Sequence, residues 1–112
     1  MDSATEWSSA EKKIARHAFD AALEKALGQA IADFKKRAAA VSTSSEMWTI
    51  GDDLHRQRQE IEQLFDYRYS QLTHVFAMLI HGGLMDEAAL AGLADAKRAD
   101  IRRTLSLLKR GG

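Results

Sequence analysis

The chain contains no cysteine and no proline in its 112 residues. Without cysteine there are no disulfides, no thiolate metal sites and no cysteine nucleophile. Without proline, no position interrupts a helix by removing a backbone donor. Net charge is also absent, because 16 Lys+Arg balance 16 Asp+Glu. That balance argues against a generic nucleic-acid or membrane-surface binder. No apolar run approaches the ~20 residues of a membrane span. The first residues, Met1-Asp2-Ser3-Ala4-Thr5-Glu6, are polar and acidic, unlike a secretory leader. The composition therefore reads as cytoplasmic.

What is present points to helix. Alanine is abundant and β-branched residues are few. Hydrophobic residues make up 46% of the chain, enough for the core of one domain. Ser8-Ser9-Ala10-Glu11 has the form of a capping box, and a first helix should run from there to about Val41. Its apolar stripe is Ile14, Ala18, Ala22, Leu27, Ile31, Phe34 and Val41. Ser42 to Ser45 is a break, and Thr43 with Glu46 forms a second capping box. So short a break predicts an antiparallel hairpin. The second helix is expected to run unbroken from 44 to 81, on the order of 57 Å, and to stop at Gly82-Gly83. A short helix over about 87–93, capped by Asp86, and a last helix over about 96–109, capped by Asp95, complete the expectation. The architecture is all-α: a single domain over 1–112, with a hairpin stalk over about 8–70 and a helical head over about 71–109. A lone stalk would expose much apolar surface, so a homodimer through the stalk is expected.

Trp48 stands out in the second helix. Met47, Ile50, Leu54 and Ile61 share one stripe at 100° per residue, whereas Trp48 falls on the polar side with Asp52, His55 and Gln59. Gly51 and Arg58 lie at the flank. An aromatic among charges is either covered by the first helix, of its own or a second chain, or is an anchor for a partner.

Other constellations are weaker. Asp52, Asp53 and His55 could suggest acid–base chemistry, but the pattern implies no cleft, and the chain is not read as an enzyme. His74 and His81 are about 10 Å apart along a helix, too far to share an ion, and no Glu-x-x-His pair exists, so no metal site is expected. Residues 95–112 carry six basic residues against two acidic ones, a local +4 offset by −4 over the rest. Asp86 to Thr104 could form a helix-turn-helix, making a DNA-binding regulator a third reading; Asp95 and Asp100 interrupt that patch, and a solvated face without nucleic acid is preferred. Arg56–Glu60 and Arg58–Glu62 are spaced as i, i+4 ion pairs.

The order of these residues resembles the cyanobacterial fluorescence recovery protein family. The similar stretches are Trp7-Ser8-x-Ala10-Glu11, Met47-Trp48-x-Ile50-x-Asp52-x-Leu54, Arg58-x-Glu60-Ile61, Val75-Phe76-Ala77-x-Leu79 with Gly83-Leu84, Leu90-x-x-Leu93-Ala94 and Lys97-x-x-x-Ile101. The resemblance implies a dimeric stalk-and-head protein that is not an enzyme. It implies binding to photoactivated orange carotenoid protein, detachment of that protein from the phycobilisome, and faster return to its resting form. No cofactor is implied, since the client carries the pigment. The working location would be the cytoplasm at the phycobilisome or thylakoid surface. The implied binding residues are Trp48, Asp52 and Arg58, with His55 and Gly51 beside them. In the head they are His74, Phe76 and Asp100. The family commonly has a histidine where this chain has Gly51, an aromatic at His74 and a basic residue at Asp100. The same fold serving a different client, as a helical adaptor, is the alternative.

Overall fold

A computed structural model of the chain describes residues 6–111. Met1 to Thr5 and the terminal Gly112 lie outside the described residues. The elements are α1 (Ser9–Ala39), α2 (Ser44–Leu64), α3 (Leu72–His81), a 3₁₀ turn (Glu87–Leu90) and α4 (Asp95–Gly111). No strand occurs among the described residues. No helix is long and apolar enough to cross a membrane. The molecule measures 58 × 30 × 22 Å, and its radius of gyration is 17.0 Å. A compact chain of this length would have about 13 Å. The excess comes from the stalk.

α1 begins at the expected capping box. The Ser8 hydroxyl accepts from the Glu11 N–H at 3.1 Å, and Glu11 Oε1 accepts from the Ser8 N–H at 3.0 Å. The apolar stripe of this helix is buried along only half its length. Ala15, Ala18, Phe19, Ala22 and Ala26 lie in the core. The small side chains of the four alanines let the head approach the helix axis closely. Beyond Ala26 the same stripe is exposed, with Leu27 at 45%, Ile31 at 56% and Phe34 at 41%.

The head packs α3 against α4. Leu72, Val75, Phe76 and Leu79 meet Ile101, Leu105, Leu90 and Leu93 in one cluster with the first half of α1. α3 stops where Gly82-Gly83 was expected to stop it. Gly83 takes φ +77°, and the Leu84 and Gly83 N–H groups donate back to the Leu79 and Ile80 carbonyls.

One carboxylate joins the two ends of this assembly. Besides capping α1, Glu11 accepts from the Ala94 N–H at 2.9 Å, at the start of α4, and from Lys97 Nζ at 3.2 Å. Lys97 is 1% exposed. Its ammonium also donates to the Glu6 carbonyl and sits 4.8 Å from the Trp7 ring centroid. Burial raises the Glu11 pKa, but the Ala94 and Ser8 N–H groups and Lys97 outweigh it and hold the carboxyl at about 2, down from 4.5.

Three expected elements need correction. The second helix is not continuous from 44 to 81; it breaks over 65–71. There the chain leaves the helix and turns over Arg68–Gln71, and alternate residues Phe65, Tyr67 and Tyr69 turn toward α1. Phe19 meets Phe65 and Tyr67 edge-on at 5.3 and 4.8 Å. Trp7 Nε1 donates to the Tyr69 carbonyl at 3.3 Å, and Arg16 lies 4.5 Å over the Tyr67 ring. Packing three rings on α1 outweighs helix continuation in a segment with no proline or glycine. The segment after Asp86 is a single 3₁₀ turn and not a helix to 93. Asp95 is the first residue of α4 and not its cap. The Ala94 carbonyl accepts from Lys97 and Arg98, while the Asp95 side chain is exposed.

Glu11→Gln should destabilise the fold by about 2–3 kcal/mol at pH 7. Because the folded pKa is the lower one, this contribution is complete above about pH 4.5 and vanishes as pH falls toward about 2. Urea unfolding of both proteins between pH 2 and 7 should therefore show the two stability curves converging at the acid end.

Candidate functional site

The far end of the stalk is held loosely. Ile50 is the one buried residue of α2. The Thr43 hydroxyl caps the helix by accepting from the Glu46 N–H at 3.1 Å. Glu46 and Thr43 then face solvent.

Trp48 is 66% exposed. It is not covered by α1 of its own chain, nor is it isolated among charges as the helical wheel implied. It forms one wall of an apolar recess of about 420 Å³. Phe34 and Ala38 of α1, Val41 of the connection and Met47, Ile50, Gly51 and Leu54 of α2 complete the lining. The projection missed this because it describes one helix, while the recess belongs to two.

A second hollow of about 320 Å³ continues the first along the helix pair. Leu54 lines both. Arg58 flanks this second hollow with Leu27, Ala30 and Ile61. Its guanidinium is 80% exposed and donates to Glu62 at 3.0 Å, the expected i, i+4 pair. Trp48 and Arg58 are ten residues apart, about 15 Å along the axis. They stand at two places on one apolar strip and do not touch.

The neighbouring aspartates separate into two roles. Asp52 is exposed and makes no ion pair among the described residues. Asp53 Oδ2 meets Arg37 of α1 at 2.6 Å, and its Oδ1 meets Arg56 at 2.6 Å. Arg56 thus pairs with Asp53 and not with Glu60, as its spacing had suggested. The bond from Arg37 is the main reason the Asp53 carboxyl titrates below its usual range. His55 is exposed, with its Nε2 3.3 Å from Gln59 Nε2. α2 passes through Gly51 without interruption, and a Cβ placed there would meet nothing within 4 Å. Gly51 therefore leaves open space beside Trp48 and does not kink the helix.

The head residues are placed differently from expectation. Phe76 is fully buried, so it is a core residue and not a surface contact, which corrects its expected role. His74 is exposed beside a shallow groove of mixed lining, with Glu60, Asp66 and Gln71 beside Leu64, Val75 and Met78. Asp100 is half-buried. It accepts from Thr73 at 3.3 Å and from Arg103 at 2.8 Å, tying α4 to α3.

The basic last helix is largely neutralised within the fold. Lys97 is buried on Glu11, Arg102 pairs with Glu87 at 2.7 Å, and Arg103 pairs with Asp100. A DNA reader needs such cations free for phosphates. Among the described residues no group of three or more His, Cys, Asp or Glu is placed to hold a metal ion. The stalk strip offers apolar area edged by charge, which is the chemistry of a protein-binding surface.

Comparison with known proteins gives a consistent result. A family model described as the photoprotection regulator fluorescence recovery protein matches residues 7–105. The fluorescence recovery protein of Synechocystis sp. PCC 6803 is 31% identical over 96 residues, spanning 86% of this chain and 88% of that protein. Among solved structures, the Fremyella diplosiphon fluorescence recovery protein has a TM-score of 0.85 at 34% identity, covering 91% of this chain and 99% of that one. The Synechocystis structure has a TM-score of 0.86 at 30% identity, covering 90% and 99%.

Gly51→Ala should stabilise the protein by about 0.5–1 kcal/mol, because a helix-interior glycine is replaced where the new methyl meets no atom. A higher urea midpoint at unchanged slope would be the expected readout.

Proposed function

Since the chain belongs to the fluorescence recovery protein family, we propose that it is a non-enzymatic regulator that binds photoactivated orange carotenoid protein and speeds its return to the resting form. The carrying observation is Trp48, two-thirds exposed at the wall of an apolar recess. In this reading Trp48 is the apolar anchor, while Asp52 and Arg58 give polar register. His55 and Gly51 border the same surface. The action is cytoplasmic, at the phycobilisome surface.

The mechanism needs only differential binding. Faster relaxation requires that the protein hold the transition state of the client more tightly than the photoactivated state. A net shift requires different affinities for the two client states. Where the phycobilisome retains the photoactivated form, returning the client to rest withdraws it by mass action. The regulator needs no pigment of its own.

A homodimer through the stalk is part of the proposal. Leu27, Ile31, Phe34, Met47 and Leu54 are each between 37% and 56% exposed along one strip. A contiguous apolar strip of that kind is a surface for a second chain. Trp48, the most exposed of the large apolar residues, would then stand at the edge of the pair.

The second reading, an adaptor for another client, is favoured by one observation. The space beside Trp48 at Gly51 is empty, so the surface differs in shape from one carrying a histidine there.

The dark relaxation of photoactivated orange carotenoid protein should quicken when this protein is added. Trp48→Ala and Arg58→Ala should each weaken that acceleration about tenfold, with helicity unchanged because both side chains are exposed. An unchanged wild-type rate, with no complex on size exclusion, would transfer the assignment to the adaptor reading. Ile31→Asp together with Phe34→Asp should convert the dimer to monomer in sedimentation, and a monomeric wild type would sink the stalk dimer.

A further inference from the structure

The geometry points to a second partner-binding groove, along the side of α2 turned away from the proposed dimer strip. It takes a segment of the partner protein that carries an arginine or lysine between apolar side chains. The inference rests on the reading above, in which that partner is photoactivated orange carotenoid protein.

Two hollows on that side run into each other. One, of about 360 Å³, lies between α1 and α2 next to the head, over Ala26, Ile61, Leu64, Phe65 and Leu84. The other, of about 350 Å³, lies between the end of α2 and α3, over Leu64, Val75 and Met78. Glu60 and Leu64 border both. None of Leu27, Ile31, Phe34, Met47 and Leu54 lines either hollow. At 100° per residue, the groove residues of each helix stand on the order of 100° round from those of the dimer strip. A second chain seated on the strip therefore leaves this groove open.

The groove is acidic. Asp33, Glu60 and Asp66 line it, with no lysine or arginine, and His74 is its one nitrogen base. The cations nearby are engaged elsewhere. Arg56 pairs with Asp53, Arg37 lies 2.6 Å from Asp53 but 4.0 Å from Asp33, and Lys25 donates to the Gly83 carbonyl at 2.8 Å. Arg68 occupies Asp66. Glu60 is exposed and makes no ion pair among the described residues. One unpaired carboxylate thus stands where the two hollows meet, with apolar floor on either side of it.

That pattern selects the occupant. Leu64, Phe65 and Leu84 are half-buried against the head core, so the floor is fixed before a partner arrives. An arginine or lysine can lay its stem along Leu64 and bring its charge to Glu60. Its apolar neighbours then cover Phe65 and Leu84 on one side and Val75 and Met78 on the other. A hydrated ion would leave that floor bare. A second copy offers similar chemistry at α4, where Leu107 is 60% exposed among Arg103 and Arg110. Such a contact is head-to-tail and would grow into chains rather than close.

The test measures binding of the full chain to photoactivated orange carotenoid protein. Glu60→Gln should weaken it about threefold and Glu60→Lys about tenfold. Both losses should shrink between about 0.1 and about 1 M salt, as the screening length falls from about 10 to about 3 Å. Glu24→Lys makes the same charge change at an exposed α1 position outside both hollows and should leave the affinity unchanged. An equal loss in Glu24→Lys, or none in Glu60→Lys, would overturn the groove. A changed sedimentation pattern in Glu60→Lys would also overturn it, by giving the carboxylate to a contact between copies. A short amphipathic peptide of leucine and arginine is the second probe. It should shift the amide resonances of Gln57 to Phe65 in the wild type and not in Glu60→Lys, and a leucine–glutamate peptide should shift neither. If the wild type fails to bind the carotenoid protein while the arginine peptide still shifts those resonances, the client assignment fails and the groove stands. Client binding indifferent to Glu60→Lys, with both peptides silent, keeps the client and removes the groove.

Discussion

Glu11 is the group on which the arrangement of the head depends. Its carboxylate caps the first turn of α1, receives the Ala94 N–H at the start of α4 and neutralises Lys97, which is 1% exposed. Two helix starts separated by more than 80 residues are thereby brought to one anion. Trp7 completes the enclosure from above, with the Lys97 ammonium over its ring. Removing either partner of a buried pair leaves an uncompensated charge, and that cost is what makes the junction specific. With α4 fixed in this way, α3 has one face to pack on, and the alanine face of α1 closes the core.

The other half of α1 has no such closure, and that contrast makes the molecule useful. The same apolar stripe continues past Ala26, but with Leu27, Ile31 and Phe34 in place of alanines, and with α2 alongside they stay 41–56% exposed. α2 answers with Met47, Trp48 and Leu54, also exposed. A helix pair that buries one α2 residue and leaves a strip of large apolar groups is the surface on which the proposed partner binding rests. A head closed around one core and a stalk with one buried α2 residue put the packed and the open apolar surfaces at opposite ends of a 58 Å molecule.

Much of this was legible in the sequence, and the failures have a common origin. The Ser8–Glu11 capping box, the Thr43 cap and the glycine stop after α3 are local signals, read within four or five residues, and both caps placed their helix starts. At α2 the box is half made, because Glu46 accepts from the Thr43 hydroxyl and not from its N–H. The break over 65–71 was missed because no proline or glycine marks it. Its signal is nonetheless present: Phe65, Tyr67 and Tyr69 alternate with Asp66 and Arg68, a period of two where a helix requires 3.6. Phe76 was misplaced because motif order cannot distinguish a core aromatic from a surface one. Arg56 chose Asp53 over Glu60 because Arg37 had already drawn that carboxylate to the α1 side of the hairpin.

The sequence by itself determined the helical class, the hairpin, the head and the candidate residues Trp48, Asp52 and Arg58. The first three and Trp48 follow from periodicity, capping and residue type, which are properties of single segments; Asp52 and Arg58 are implied by the family resemblance. Only the tertiary structure decided that Trp48 shares a recess with Phe34, that Asp53 is a tie while Asp52 makes no ion pair among the described residues, and that the second helix ends at Leu64. Those outcomes depend on which side chains from distant segments compete for the same space and the same charge. A helical wheel, drawn for one helix at a time, contains no neighbour and so cannot rank them.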